Sequence, residues 1–122
     1  MNKTRLTPDS NPELDNRPVA DLLASLSKTQ GFGKAQVLFA LSRRSHSMPE
    51  LMRLVLSEVV SVDNQTTIAQ FNDSVATAAA FAVVDDGQPA DIEALKRIID
   101  EWQNPNHSED FYWSLKSADL TI

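Results

Sequence analysis

The chain has 122 residues, of which 42% are hydrophobic, with no cysteine and a formal net charge of −6. This length suits one domain with a single core, and the absence of cysteine excludes disulfides, thiolate metal sites and cysteine nucleophiles. Residues 1–61 carry eight basic and six acidic side chains, whereas residues 62–122 carry three and eleven. We therefore expect an asymmetric charge distribution, in which any contact with nucleic acid is confined to the first half.

Hydropathy along the chain gives no sign of a membrane segment. The longest apolar run covers residues 78–84, whereas a membrane-spanning helix needs roughly 20 such residues. The first 17 residues also lack the apolar stretch of a secretory signal. We expect a cytoplasmic protein without membrane contact.

The predicted elements begin with a flexible N-terminal tail over residues 1–17, which is rich in Pro, Asp and Asn. A single helical domain is predicted over residues 18–122, since apolar residues recur there at spacings of three and four. The predicted helices cover about 18–28, 34–44, 48–60, 64–84, 90–103 and 108–116. No segment alternates as a strand would, so the sequence predicts an all-α, compact bundle of five to six helices.

Local signals refine these boundaries. The segment Gly31-Phe32-Gly33 predicts a break between the first two helices. Ser47 and Glu50 have the spacing of a capping box at the start of the third helix. The fourth helix holds five alanines between positions 76 and 82, which allow neighbouring helices to approach closely. It is therefore predicted to lie at the centre, with Phe71 and Val75 buried.

Few side chains suit catalysis or metal binding. The two histidines, His46 and His107, are 61 positions apart, and neither belongs to a known ligand or triad spacing. The segment Asp85-Asp86-Gly87 lacks the acid spacing of a calcium loop and is interpreted as a helix stop. We expect no enzymatic activity, no cofactor and no metal.

Residues 35–76 follow the order of a helix-turn-helix module, which provides one functional interpretation. Its reading helix would contain no Lys or Arg, because none occurs between Val60 and Leu95. Phosphate contacts dominate the affinity of DNA-binding proteins, so they would have to come from the basic 34–53 region. The candidate nucleic-acid-binding residues there are Lys34, Arg43, Arg44 and Arg53.

A cluster of aromatic residues near the C-terminus provides the favoured interpretation. Phe111, Tyr112 and Trp113 are consecutive, so on a helix they span about 200° and cannot all face one core. If Phe111 packs inward, Tyr112 or Trp113 is left exposed beside acidic residues. The sequence therefore predicts a small protein-binding regulator, inhibitor or adaptor, with a DNA-binding accessory factor as the alternative. The predicted partner-binding residues are Glu109, Asp110, Tyr112 and Trp113, and the partner is expected to present a basic patch.

Overall fold

The computed structural model describes residues 5–70 and 73–122, and this part of the chain forms eight helices and one small hairpin. The helices are α1 (Pro12–Asp15), α2 (Val19–Leu26), α3 (Gly31–Arg44), α4 (Glu50–Val60), α5 (Val62–Thr66), α6 (Val75–Asp86), α7 (Pro89–Asp100) and α8 (Pro105–Ser117). The hairpin pairs β1 (Ile68–Gln70) antiparallel with β2 (Asp73–Ser74). The predicted all-α class is confirmed, but the described residues form more helices than the five to six predicted.

The core is built around α6, which packs against α3, α4, α5, α7 and the hairpin. Every residue of α6 except Phe81 is buried. Its alanines carry little side-chain bulk, so the backbones of α3 and α4 can approach it closely. The predicted central position and the burial of Val75 are confirmed. The predicted burial of Phe71 lies outside the described residues.

The prediction of one long fourth helix is wrong. The chain from residue 62 instead forms α5, the hairpin and then α6. Consecutive β-branched residues, Thr66, Thr67 and Ile68, disfavour continuation of a helix and favour extended backbone. Ser74 then starts α6 as its N-cap, because its hydroxyl accepts a hydrogen bond from the backbone N–H of Thr77 at 3.1 Å.

Two predicted helix starts also differ from the structure. The Ser47–Glu50 capping box is absent, because the Ser47 hydroxyl donates to the carbonyl of Arg44 at 3.2 Å and closes the preceding turn. Helix α3 already begins at Gly31, whose φ of +59° suits glycine. A Cβ atom there would also lie 3.2 Å from the carbonyl oxygen of Ile68. The segment predicted as a break is therefore the first turn of α3.

Trp102 and Phe111 fix α8 against the rest of the bundle. The indole N–H of Trp102 donates to the carbonyl of Val59 at the end of α4, at 3.2 Å. Phe111 is buried, and its ring centroid lies 6.2 Å from that of Trp102 and 5.3 Å from that of Phe81. These contacts pack the Phe111 side of α8 against α6 and against Trp102, which lies between α7 and α8.

Candidate functional site

The outward side of α8 carries the most exposed large hydrophobic residue in the described part of the chain. Trp113 is 69% exposed, whereas Phe111 and Leu115 on the inner side are buried. Glu109 and Asp110 precede Trp113 by four and three positions, so they lie on the same side of the helix. We call this set, Glu109, Asp110 and Trp113, the α8 surface.

Tyr112 lies at the border of this surface and is less available than Trp113. Its hydroxyl donates a hydrogen bond to Asp100 on α7 at 2.9 Å, and its ring packs edge-on against Phe111. Burial and the neighbouring Asp100 carboxylate raise the pKa of Tyr112 to about 12. The phenol is therefore neutral at physiological pH and ties α8 to α7.

A cavity of about 280 Å³ opens between the hairpin and α8. Asp110 lines it, so the cavity is continuous with the α8 surface. We call it the hairpin cavity; its walls are formed by Gln65, Thr66, Ile68, Asp73, Ser74, Thr77, His107, Asp110 and Phe111. Within residues 5–70 and 73–122, Asp73 and Asp110 form no ion pair with a basic side chain. Burial and the charge of Asp110 together raise the pKa of Asp73.

A second acidic pair, Asp85 and Asp86, lies at the C-terminal end of α6. The Asp85 carboxylate accepts hydrogen bonds from the backbone N–H groups of Leu6 and Thr7, at 2.9 and 2.8 Å, and from the Thr7 hydroxyl. Both carboxylates are almost completely shielded from solvent. The sequence interpretation as a simple helix stop therefore missed a buried polar cluster.

Asp86 is partnered from three directions. It accepts from the Arg5 guanidinium at 3.1 Å, the Ser42 hydroxyl at 2.8 Å and the His46 ring at 2.9 Å. Burial acts to raise the pKa of Asp86, but the hydrogen bonds from Arg5, His46 and Ser42 outweigh it and hold that pKa below its ordinary value. His46, in the turn after α3, is thus a partner of this carboxylate.

Residues 5–17 of the segment predicted as a flexible tail contact the helices through their polar groups. Besides the contacts of residues 5–7 with α6, Arg43 on α3 donates to Asp15 at 2.7 Å and to the carbonyl of Pro8 at 3.0 Å. Arg44 donates to the backbone carbonyls of Asp15 and Arg17. Charged groups far apart in the sequence therefore hold this segment against the helices.

The basic residues of the DNA-binding alternative are largely engaged within the chain. Arg43 and Arg44 hold the N-terminal segment, and Lys34 pairs with Glu58 at 2.9 Å. Arg53 is exposed on α4. The reading helix predicted to follow α4 is replaced by α5 and the hairpin, and the long helix after them, α6, is buried. An element that is covered on all sides cannot enter a DNA groove.

Metal-binding and membrane-crossing features are absent from the described ranges. Among residues 5–70 and 73–122, His, Asp and Glu side chains form no group of three suited to holding a metal ion. No helix in the same ranges has both the length and the apolar character to cross a membrane. Comparison of the chain with protein-family models, with curated proteins and with solved structures finds no match.

The sequence interpretation predicted an exposed aromatic ring near the C-terminus but not the hairpin cavity. The consecutive aromatic residues showed that one ring had to be exposed, and that ring is Trp113. Asp73 was not singled out as a neighbour of Asp110, because the hairpin that carries Asp73 was itself unpredicted. Asp85 and Asp86 directly follow the apolar run that ends at Val84. This position was the feature of the sequence from which their burial could have been predicted.

Proposed function

We propose that this chain is a small non-enzymatic protein-binding module, acting in the cytoplasm as a regulator, inhibitor or adaptor. Its contact region is the α8 surface, with Trp113 as the anchor and Tyr112 at the border. The observation that carries the proposal is the 69% exposure of Trp113 on a helix whose opposite side is fixed in the core. Exposed Trp residues that become buried in a complex are enriched among interface hot spots.

The rim of this surface defines the charge of the partner. Glu109 and Asp110 are both exposed one turn before Trp113. Residues 62–122 as a whole carry eleven acidic and three basic side chains. A basic patch on the partner would therefore complement this side of the molecule and accelerate association by electrostatic steering.

Tyr112 contributes to this surface mainly by positioning it. Its hydrogen bond to Asp100 and its contact with Phe111 hold α8 in place. A rigid surface loses less conformational entropy on binding than a mobile one. Replacing Tyr112 with Phe would therefore weaken partner binding less than replacing Trp113 with Ala.

DNA binding has less support as a function of this chain. Three of its four candidate basic residues, Lys34, Arg43 and Arg44, already contact groups of the chain itself. Breaking these contacts would offset part of the gain from binding phosphate. Arg53 is the remaining candidate, so retention on non-specific DNA at low salt that disappears in Arg53→Ala would favour the alternative.

The proposal is tested by recovering partners from the native host with the full chain and with Trp113→Ala. Met48→Ala is a matched control, because Met48 is an exposed hydrophobic residue just before α4 and belongs neither to α8 nor to the lining of the hairpin cavity. Any candidate is then purified and its Kd measured against each variant. Truncating an anchor costs about 2 kcal/mol or more, so Trp113→Ala should weaken binding about thirtyfold while Met48→Ala leaves it unchanged.

Folding is controlled by circular dichroism of each variant. Truncating an exposed side chain should leave the helical spectrum and the melting temperature close to those of the parent. If folded Trp113→Ala retains parental affinity for the reconstituted partner, the proposed surface is wrong.

A further inference from the structure

The hairpin cavity lies directly beside the anchor of the proposed interface. Asp110 belongs both to the α8 surface and to the cavity wall, and it is followed on α8 by the cavity-lining Phe111. Ile68 of β1 lines the cavity from the opposite side and is 57% exposed. The cavity thus has the exposed hydrophobic side chain of Ile68 on one wall, and Trp113 follows the lining residue Asp110 by three positions on α8.

The volume of the cavity argues for a single side chain as its occupant. Sites for small-molecule ligands span roughly 300–1,000 Å³. The hairpin cavity, at about 280 Å³, is at the small end of that range. One long side chain projecting from a partner protein needs less room than a complete small-molecule ligand.

The charge of the cavity selects the chemistry of that side chain. Asp73 and Asp110 both line it, and within the described ranges neither carboxylate is paired with a base. Burial and the charge of Asp110 raise the pKa of Asp73. A cation placed between them would relieve this repulsion and form charge-assisted hydrogen bonds.

We propose that the hairpin cavity receives an arginine side chain of the protein that binds the α8 surface. The guanidinium contacts Asp73 and Asp110, since its planar fork of five N–H donors can serve two carboxylates at once. Its methylene stem lies against the exposed side chain of Ile68, as arginine stems commonly do on apolar walls. The neighbouring part of the partner covers Trp113. This assignment rests on the proposed function, because it names the partner chemistry for the same surface.

The experiment uses the isotopically labelled full chain and a defined probe, N-acetyl-arginine methylamide, in an NMR titration. The matched probe is the citrulline analogue, which has nearly the same shape but no charge. We expect saturable shifts of the backbone amides of Ile68, Thr77 and Asp110 with the arginine probe. The citrulline probe should bind at least about tenfold more weakly, because its hydrogen bonds lack charge assistance.

Variants test whether the two carboxylates are responsible. The double variant Asp73→Asn/Asp110→Asn should lose binding of the arginine probe by at least about tenfold. The control Glu93→Gln/Glu101→Gln removes the same number of charges from exposed positions of α7 and the residue after it, and should bind like the parent. Asp110→Asn alone, at an exposed position of α8, provides the test if the double variant fails to fold.

The outcomes separate this inference from the proposed function. Equal binding of the two probes, or parental binding by the folded Asp73→Asn/Asp110→Asn variant, overturns the arginine assignment. If a reconstituted partner then still depends on Trp113, the proposed function stands without it. Loss of arginine-probe binding in the acid variants together with retention in Trp113→Ala supports the cavity as the site of the charged contact. A partner indifferent to all of these substitutions overturns both.

Discussion

Asp85 and Asp86 differ from Asp73 and Asp110 in where their partners come from. The first pair is buried at the end of α6 and receives hydrogen bonds from the N-terminal segment, α3 and the turn after it. The second pair lines an open cavity, and the described residues supply it with no ion pair. A buried charge is tolerated only when its own chain satisfies it, whereas a charge at a cavity mouth can remain available to a ligand.

The two settings shift carboxylate pKa values in opposite directions. The pKa of Asp86 lies below its ordinary value of 3.8, because hydrogen-bond donors on Arg5, His46 and Ser42 favour the charged form despite burial. The pKa of Asp73 lies above the same ordinary value, because burial and the charge of Asp110 disfavour its charged form. The ionised form of Asp86 therefore stabilises the fold, whereas the ionised form of Asp73 opposes it.

The comparison predicts its largest effect at Asp86. The change Asp86→Ala leaves Arg5, Ser42 and His46 without their shared acceptor. Removing one partner of a buried ion pair costs about 3–5 kcal/mol, and we expect the lower end because Arg5 and His46 are partly exposed. Urea unfolding followed by circular dichroism measures the loss.

Glu93→Ala is the control for this variant, since Glu93 is an exposed acid on α7. It should change the free energy of unfolding by less than about 0.5 kcal/mol. Equal stabilities of Asp86→Ala and Glu93→Ala would contradict the structural role assigned to the buried pair.

A smaller effect is expected at Thr7, on the other side of the same cluster. Thr7→Val keeps the shape and the backbone N–H but removes the hydroxyl that donates to Asp85. Loss of one buried hydrogen bond to a charged group costs about 1.5–3 kcal/mol. Hydrogen exchange of the Leu6 and Thr7 amides should also become faster, whereas Thr66→Val, at an exposed position of α5, should leave it unchanged.

The sequence predicted local features better than distant pairings. Apolar spacing located α7 and its buried Leu95 and Ile99, because a helix that packs on a core repeats this pattern locally. The ion pair between Arg5 and Asp86 joins positions 81 residues apart. No local periodicity reports such a contact, since it exists only once the helices have assembled. For the same reason, the contacts of the N-terminal segment with the helices were not predicted.

In the proposed functional region, too, the local feature was predicted and the pairing of distant residues was not. Three consecutive aromatic residues on one helix predicted that Tyr112 or Trp113 is exposed, which is a local property, and the exposed ring is that of Trp113. The cavity depends on the hairpin, whose strands span only 68–70 and 73–74 and are too short to show alternation. The neighbours of Asp110 across that cavity were therefore not predictable from residue spacing.

The smallest predicted effect on stability is at Asp73, and its sign is opposite to that at Asp86. Because folding raises the pKa of Asp73, the folded chain binds a proton more tightly than the unfolded chain. The contribution of Asp73 to stability therefore increases as pH falls through the window between 3.8 and its raised value, and at neutral pH its charge is unfavourable. The contribution of Asp86 to stability is complete at pH values above the pKa of Asp86 in the unfolded chain. It is lost as pH falls through the lowered pKa of Asp86 in the folded chain.

Asp73→Asn should accordingly leave the chain equally or slightly more stable at pH 7, by no more than about 0.5 kcal/mol for an exposed position. It should also remove the increase in stability that Asp73 contributes as pH falls through its titration window. Thermal melts of the parent and the variant between pH 7 and pH 4 measure both quantities. A variant that is clearly less stable than the parent at pH 7 would mean that Asp73 is already partnered within the fold. The contrast between the two acidic pairs would then fail, and with it the reason for placing a partner's arginine in the cavity.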